Sequence, residues 1–253
     1  MGLNVDIQTP IVLVNTAEYI DGNRKTAFDK VVYEQPLLVL LSFEDNSEVI
    51  RYTITMRTPG NDEELIIGLL IAEGIIKQQK DVLAIGVNQD DEHGHGNTWL
   101  VELKQYCRTN VESTLAYLQT YSSCGLCGNT SIHAIEKKQP PEISTKKAWL
   151  RASSIALMIN QLPDQQVVFE TTGGVHGAAL FDKDGRCYLT REDIGRHNAM
   201  DKLIGAAFDA EYIEPAAEHV VVLTSRVSYE MVQKAVMAGI PVIVALGAVS
   251  SLA

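Results

Sequence analysis

The stretch that most limits the possible folds lies near the end of the chain. Val220-Val221-Val222-Leu223 is apolar at every position. It is followed by Thr224-Ser225-Arg226, by Ser228 where a helix cap would stand, by a helical pattern over residues 229–238, and by Gly239 and a second apolar run over residues 240–246. A strand wet on one face would alternate apolar and polar residues. Two fully apolar strands flanking one helix instead imply a parallel pair inside a covered sheet. Ligands of such sheets gather beyond the carboxyl ends of the strands, which points to Ser225, Arg226 and Ser228.

The opening third has a different texture. Apolar runs at residues 11–14, 31–33 and 37–41 and an alternating run at 48–56 read as a meander of short strands, with Asp21-Gly22-Asn23 as a turn and Pro36 as an edge or break. Thr58-Pro59-Gly60 stops the last of them. Asn61 or Asp62 is placed to cap a helix whose first turn holds Glu63 and Glu64, acidic residues that suit a helix N-terminus. Leu65, Leu69 and Ala72 share one face of that helix, Ile66 and Leu70 lie beside them, and Gly74 ends it. Residues 82–87 and 99–103 read as a strand pair around a polar loop holding His93 and His95, and Cys107 reads as a small buried hydrophobe. Residues 111–121 are weakly helical, residues 137–147 form a polar connector, and Ser153 or Ser154 is expected to cap a helix over residues 155–162. Further on, residues 167–170 and 178–181 read as strands, Asp182-Lys183-Asp184-Gly185 as a hairpin turn, residues 191–198 as a charged loop, and residues 199–208 as a helix.

Composition narrows the function classes. A net charge of −11 over 253 residues excludes a uniformly basic nucleic-acid footprint, and no apolar run reaches membrane-spanning length. The first residues lack the basic head and apolar core of a secretion signal. Four cysteines are too few for a disulfide framework in a chain this long. A reducing cytoplasm is the expected compartment.

Two of those cysteines stand together in Ser123-Cys124-Gly125-Leu126-Cys127-Gly128. Glycines on both sides let such a loop swing and leave both sulfurs reachable, so the loop over residues 121–129 is expected to be mobile and exposed. A Cys-x-x-Cys serves redox exchange, half a zinc site, a buried structural pair, or thiolate chemistry that accepts and passes on a sulfane sulfur. Zinc needs two further ligands, and Cys107, His133 or His176 would have to come from afar, so no metal is expected. A zinc deaminase site would need His-x-Glu upstream and a proline before the first cysteine; neither is present, and Ser122-Ser123 stands where the proline should be.

A second cluster lies downstream. Thr172-Gly173-Gly174-Val175-His176 permits close backbone approach, and Arg191, Arg196, His197, Arg226 and Lys234 gather cationic or titratable groups in an otherwise acidic half. Arginine suits bidentate phosphate binding, and helix starts near Asn198 and Ser228 add amide donors. Glu192, Asp193 and Glu230 are placed to orient these arginines. A phosphate-rich ligand is the expected occupant.

Taken together, Cys124-Gly-Leu-Cys127-Gly, Thr172-Gly-Gly-Val-His176, Arg191-Glu-Asp-Ile-Gly-Arg-His-Asn198 with Asp201-Lys202, and Ser228-Tyr-Glu-Met-Val-Gln-Lys234 with Ala-Gly-Ile-Pro241 resemble the formate dehydrogenase accessory sulfurtransferase family. Thr58-Pro-Gly and Ala72-Glu-Gly-Ile-Ile76 match it too, so the likeness runs along nearly the whole chain. Members usually continue past a segment such as Ser250-Ser251-Leu252-Ala253 with another helix and strand. The resemblance implies a persulfide carried on Cys124, with Cys127 assisting, from a cysteine desulfurase to the molybdenum of bis-molybdopterin guanine dinucleotide, which formate dehydrogenase needs. A chaperone that delivers this cofactor without moving sulfur is the alternative. The resemblance implies a homodimer, with no nucleic acid or membrane as partner. It also implies an α/β fold: a small α+β N-terminal domain over residues 1–115, then a cytidine deaminase-like three-layer α/β/α domain over residues 116–253. Thr172, Gly173, Gly174, His176, Arg191, Arg196, His197, Arg226 and Ser228 are the residues expected to bind the cofactor or a guanine nucleotide mimicking its end.

Overall fold

The structure, a computed structural model, describes residues 9–44, 46–88, 96–123, 140–212 and 218–253, with backbone alone at 46, 47 and 116–123. A long hairpin, β1 (Ile11–Ile20) and β2 (Asn23–Val32), opens the described chain. Its turn at Asp21 and Gly22 has φ of 52° and 80°, the positive pair that a tight two-residue hairpin requires. The next sheet contains β3 (Gln35–Phe43), β4 (Asn46–Arg57), β5 (Val82–Val87) and β6 (Thr98–Leu103) in the order β4-β3-β6-β5. The last sheet contains β7 (His176–Asp182), β8 (Cys187–Asp193), β9 (His219–Leu223) and β10 (Val242–Ala245) in the order β10-β9-β7-β8. The helices are α1 (Asp62–Ala72), α2 (Arg108–Ser123), α3 (Ala152–Gln161), α4 (Val167–Thr172), α5 (Arg196–Asp209) and α6 (Tyr229–Met237). None is long and apolar enough to cross a membrane among the described residues. This is a mixed α/β architecture.

The parallel pair read from the sequence is present: β9 and β10 run parallel, Val220 beside Val242 and Leu223 beside Ala245. Pro36 lies inside β3 without breaking it. Pairing of β3 with β6 begins only at Leu38, so at Pro36 the strand has a neighbour on one side alone, and the missing N–H costs no ladder bond.

Alternation along β7 sends its side chains into two cores. Ala178 and Leu180 join a cluster with Leu37, Val39 and Leu41 of β3, Leu65, Ile66 and Leu70 of α1, Leu203 and Ile204 of α5, and Met231 of α6. Ala179 and Phe181 pack with Val220, Val222, Met158 and Leu162 on the other face. Each fully buried Leu or Ile stabilises by about 1.5–3 kcal/mol.

Helix α1 is buried at seven of its eleven positions, and its seat depends on two glycines. A Cβ on Gly68 would lie 1.8 Å from the Asp201 carbonyl oxygen of α5, and a Cβ on Gly205 would lie 1.9 Å from the Glu64 carbonyl oxygen of α1. Each helix therefore presents bare backbone to the other. The obstructing atoms are main chain and cannot swing aside.

Several local expectations are corrected. Residues 167–170 form helix, not strand: the Glu192 carboxylate accepts the Val168 and Phe169 N–H groups at 2.9 Å each, and Gly173 closes α4 at φ 63°. A tertiary cap thus overrides the β-branched residues. Residues 191–198 are not a loop. Arg191, Glu192 and Asp193 finish β8, and α5 starts at Arg196. Asn61 takes a left-handed φ of 57° and makes no side-chain cap, while Asp62 is held by both Nε and Nη2 of buried Arg57 at 2.9 Å. Arg151, not Ser153 or Ser154, occupies the cap position of α3.

Gly68→Ala and Gly205→Ala should each destabilise by about 3 kcal/mol or more, the upper end of overpacking costs. Gly86→Ala, where an added Cβ meets nothing within 4 Å, should change stability by less than about 1 kcal/mol. Urea unfolding of the three variants measures both.

Candidate functional site

The carboxyl end of β9 and the start of β7 are tied together. Gly177 donates its N–H to Thr224 Oγ1 at 2.9 Å, and the Thr224 N–H donates to the Gly177 carbonyl at 3.1 Å. The chain after β9 is held from the other side by the chain after β10. Val227 donates to the Ala248 carbonyl and Ser250 donates back to the Val227 carbonyl, both at 3.0 Å. Gly247 is needed there, because a Cβ would lie 2.6 Å from the Arg226 nitrogen and the Ser225 oxygen.

His176, Arg196, His197 and Arg226 converge at this end. The His176 pKa is lowered below its ordinary value by burial first, then by the charges of Arg196 and Arg226. That of His197 is lowered by burial, Lys234 and Arg196, against the opposing pull of Glu230. Both imidazoles are therefore biased toward the uncharged form. His197 Nε2 lies 3.0 Å from a Glu230 carboxylate oxygen. Arg226 is exposed. Arg196 Nε and Ser228 Oγ are buried and have no hydrogen-bond partner, although Ser228 stands at the cap of α6. Orphaned buried polar groups are costly and uncommon, and these two stand on Arg196 itself and two residues after Arg226.

The other expected residues are placed differently. Thr172 Oγ1 donates to the Val168 carbonyl at 2.7 Å and accepts from the Gly174 N–H at 3.2 Å, so its hydroxyl shapes the turn itself. Gly173 and Gly174 are exposed and lead directly into His176; a Cβ on Gly174 would press on Val32 of β2 at 3.1 Å. Arg191 is turned away from this cluster. It forks onto Glu64 of α1, with Nη2 to Oε1 at 2.6 Å, and donates Nη1 to the Thr190 carbonyl at 2.9 Å. Lys234 is buried and bonds both oxygens of Asp201 at 2.7 and 2.8 Å. Of the acidic residues expected to orient arginines, Glu192 caps α4, Asp193 pairs with Lys202, and Glu230 faces His197.

Cys124, Cys127, His93, His95 and His133 lie outside the described residues, as does the loop between residues 124 and 129. Cys107 is buried, and burial followed by the charge of Asp81 pushes its thiol up to about 11, so it is a packing residue and a poor nucleophile. Among the described residues no group of three or more metal-ligating side chains comes together. A cleft of about 360 Å³ at Gly60, Asn61, Asp62, Glu63, Glu64, Trp99 and Asp209 shares no residue with the histidine cluster. Four carboxylates line it, the wrong sign for phosphate.

Sequence reasoning passed over Gln166 and gave no site role to Thr224 or Lys202, although both stood in the motifs it quoted. Gln166 is 4% exposed and its Nε2 has no partner. It packs where a Cβ on Gly177 would otherwise sit, 2.4 Å away. Nothing local in the sequence marks it, since its role is set by a strand met only in three dimensions.

Buried Asp201 sets a pH dependence. Burial, only partly offset by Lys234, pushes its carboxyl up to about 6 from the ordinary 3.8. The folded protein then holds this proton more tightly than the unfolded chain. Its contribution to stability is largest at the acid end, declines as pH rises through the window from about 4 to 6, and is level above it. Unfolding free energies across that window should show the decline in the native protein relative to Asp201→Asn, which lacks the titrating group.

The profile of the FdhD/NarQ family matches residues 34–253. A protein of Mycobacterium tuberculosis named sulfur carrier protein FdhD is 41% identical over 79% of this chain and 75% of its own length. One of the same name from Streptomyces coelicolor is 38% identical over 92% of this chain and 82% of its own. A solved structure described as a putative formate dehydrogenase accessory protein from Desulfotalea psychrophila superposes with a TM-score of 0.68 at 22% identity, covering 96% of this chain and 86% of that one. At that identity the last comparison speaks for the fold.

Proposed function

This chain belongs to the FdhD/NarQ family, and from that premise we propose that it is a sulfur carrier serving formate dehydrogenase. The reading is carried by relatives named sulfur carriers that align over most of the chain. The carrier is Cys124, with Cys127 assisting. Its thiolate attacks the terminal sulfur of a cysteine desulfurase persulfide; the new S–S bond forms as the old one breaks, and the desulfurase thiolate leaves. The Cys127 thiol then attacks the Cys124 sulfur, the Cys124–Cys127 disulfide forms as the bond to the outer sulfur breaks, and that sulfur leaves as hydrosulfide for the molybdenum of bis-molybdopterin guanine dinucleotide, the substrate of the transfer. The protein acts in the cytoplasm as a homodimer.

The site that receives the nucleotide end of that substrate comprises Gly173, Gly174, His176, Arg196, His197, Arg226 and Ser228. The observation that supports it is the pairing of two arginines with unsatisfied polar atoms on Arg196 and Ser228. A phosphate oxygen would supply the missing acceptor. Helices on both faces of the last sheet, α3 on one and α5 with α6 on the other, support the cytidine deaminase-like reading of this half.

Incubation with a cysteine desulfurase and cysteine should add the mass of one sulfur atom to the intact protein. Cys124→Ala should lose that adduct while Cys127→Ala keeps it, and a wild-type protein that gains no sulfur would defeat the carrier reading.

Guanosine diphosphate should bind in calorimetry, and Arg226→Ala should weaken it about tenfold, the scale of one charge-assisted hydrogen bond. A bound phosphate favours the charged imidazoles of His176 and His197, whose free values are depressed. Binding therefore takes up protons, and affinity should rise as pH falls from 8 to about 6.

A further inference from the structure

Beneath Arg196 and His197 lies a fully enclosed ion pair. Asp193, the last residue of β8, is 0% exposed and Lys202 of α5 is 1% exposed. Lys202 Nζ lies 2.7 Å from Asp193 Oδ2 and donates to the Thr58 carbonyl at 2.7 Å. The same Asp193 Oδ2 accepts the Thr58 N–H at 3.0 Å. Asp193 Oδ1 accepts the Gly195 N–H at 2.9 Å and Asn198 Nδ2 at 3.2 Å. Thr58 Oγ1 accepts the Ile194 N–H at 3.0 Å. Asn198 donates to the Met56 carbonyl at 2.7 Å and accepts from Thr55 Oγ1 at 3.1 Å.

Every bond in this set draws its two partners from two places: the end of β4 with its Thr58-Pro59-Gly60 turn, and the stretch from Asp193 at the end of β8 through the first turns of α5. Asn198 and Lys202 are four residues apart and so share one helical face, directed at the β4 turn. Arg196 and His197 stand on the same first turn as Asn198. Where their side chains sit is therefore set by how the helix start is held from below.

We infer that Lys202 is a positioning residue for the anion site, holding the start of α5 so that Arg196 and His197 are presented beside His176 and Arg226; the inference rests on the reading of those four as a ligand site. Its ammonium reaches Asp193 of β8 and the Thr58 carbonyl of the β4 turn at 2.7 Å each, and the Glu192 carbonyl of β8 at 3.5 Å. No uncharged side chain of that length donates to both elements. Asp193 alone keeps its contacts to Gly195 and Asn198 but loses the counter-charge that fixes its Oδ2 against Thr58.

The test uses the paired substitution Asp193→Asn with Lys202→Met, which removes both charges and leaves the net field nearly unchanged. The first readout needs no ligand. Titration of the histidine ring protons by NMR in the native protein reports the surroundings of His176, which faces Arg196 and Arg226, and of His197, which faces Arg196, Lys234 and Glu230. The resonances are assigned with His176→Gln and His197→Gln. If Lys202 sets the place of Arg196, both titrations should move toward the ordinary histidine value by about half a pH unit or more in the folded double variant. The second readout is calorimetry with guanosine diphosphate, expected to weaken about tenfold, while a packing variant of equal melting temperature, such as Ile204→Val, keeps native affinity.

Unshifted histidines in a folded double variant overturn the inference, whatever the nucleotide does. Shifted histidines in a protein that never binds guanosine diphosphate sustain the positioning role and defeat the nucleotide reading instead. Should the double variant fail to fold, Lys202→Arg keeps the charge but moves the donors off Asp193 Oδ2 and the Thr58 carbonyl. It should shift both titrations in the same direction by a smaller amount, and native titrations there also overturn the inference.

Discussion

The crossing of α1 and α5 is the constraint on which the rest depends. Two glycines, Gly68 and Gly205, let each helix rest on the other's carbonyl oxygens. Because the contact is backbone on backbone, it fixes both the separation of the helices and their relative slide. The flanking residues are then placed without choice. Glu64 is brought to Arg191, and Asp201 and Lys202 are sealed from water, at 2% and 1% exposure. A wider crossing would leave those charges half wet and their partners out of reach. The apolar contacts of Leu65, Ile66, Leu203 and Ile204 supply the attraction, and the glycines decide where it acts.

Burying charge at such a crossing is costly unless each ion is fully matched. The pairs differ in how well they are matched. Asp193 has four donors and Lys202 three acceptors, the Glu192 carbonyl at 3.5 Å being the third, so both are satisfied. Asp201 is matched mainly by Lys234, and its raised carboxyl value reflects a desolvation that one partner does not cancel. Replacing either pair by apolar residues of similar size would remove the desolvation cost as well as the attraction. Their net stabilisation is therefore small beside that of the apolar cluster. What an ion pair adds is direction: an ammonium between fixed acceptors permits one register of strand end, turn and helix start.

This difference explains what was legible in the sequence. The β9-α6-β10 unit and the helix from Asp62 were readable because their signals are local: unbroken apolar runs, acidic first turns and glycine stops. The opening hairpin was seen only in part, since its strands extend through Glu18, Arg24 and Lys25, residues without an apolar period. Residues 167–170 were misread because their helix is capped by Glu192, met only after the chain returns as β8. At the site, His176, Arg196, His197 and Arg226 were singled out by residue type and do converge. Arg191 has the same chemistry and lies five residues from Arg196, yet it faces Glu64. Only the strand direction and the position of α1 separate the two arginines, and neither is written in the local sequence.

The anion site proposed around His176 would have to work in an acidic chain. With a net charge of −11, long-range attraction cannot gather a phosphate, and salt would screen it beyond roughly 8–10 Å in any case. The attraction must come from groups that are close and already oriented. Arg196 and Arg226 provide it. Burial first, then Arg196 and Arg226 at His176 and Lys234 and Arg196 at His197, bias both imidazoles toward the uncharged form. Neutral histidines avoid the repulsion of four cations held together, and a bound phosphate would recruit the remaining charge by protonation. Unpartnered atoms on Arg196 and Ser228 are the other part of the same balance: hydrogen-bonding capacity held in reserve at the start of two helices, kept in place by the glycine crossing and the ion pair beneath it.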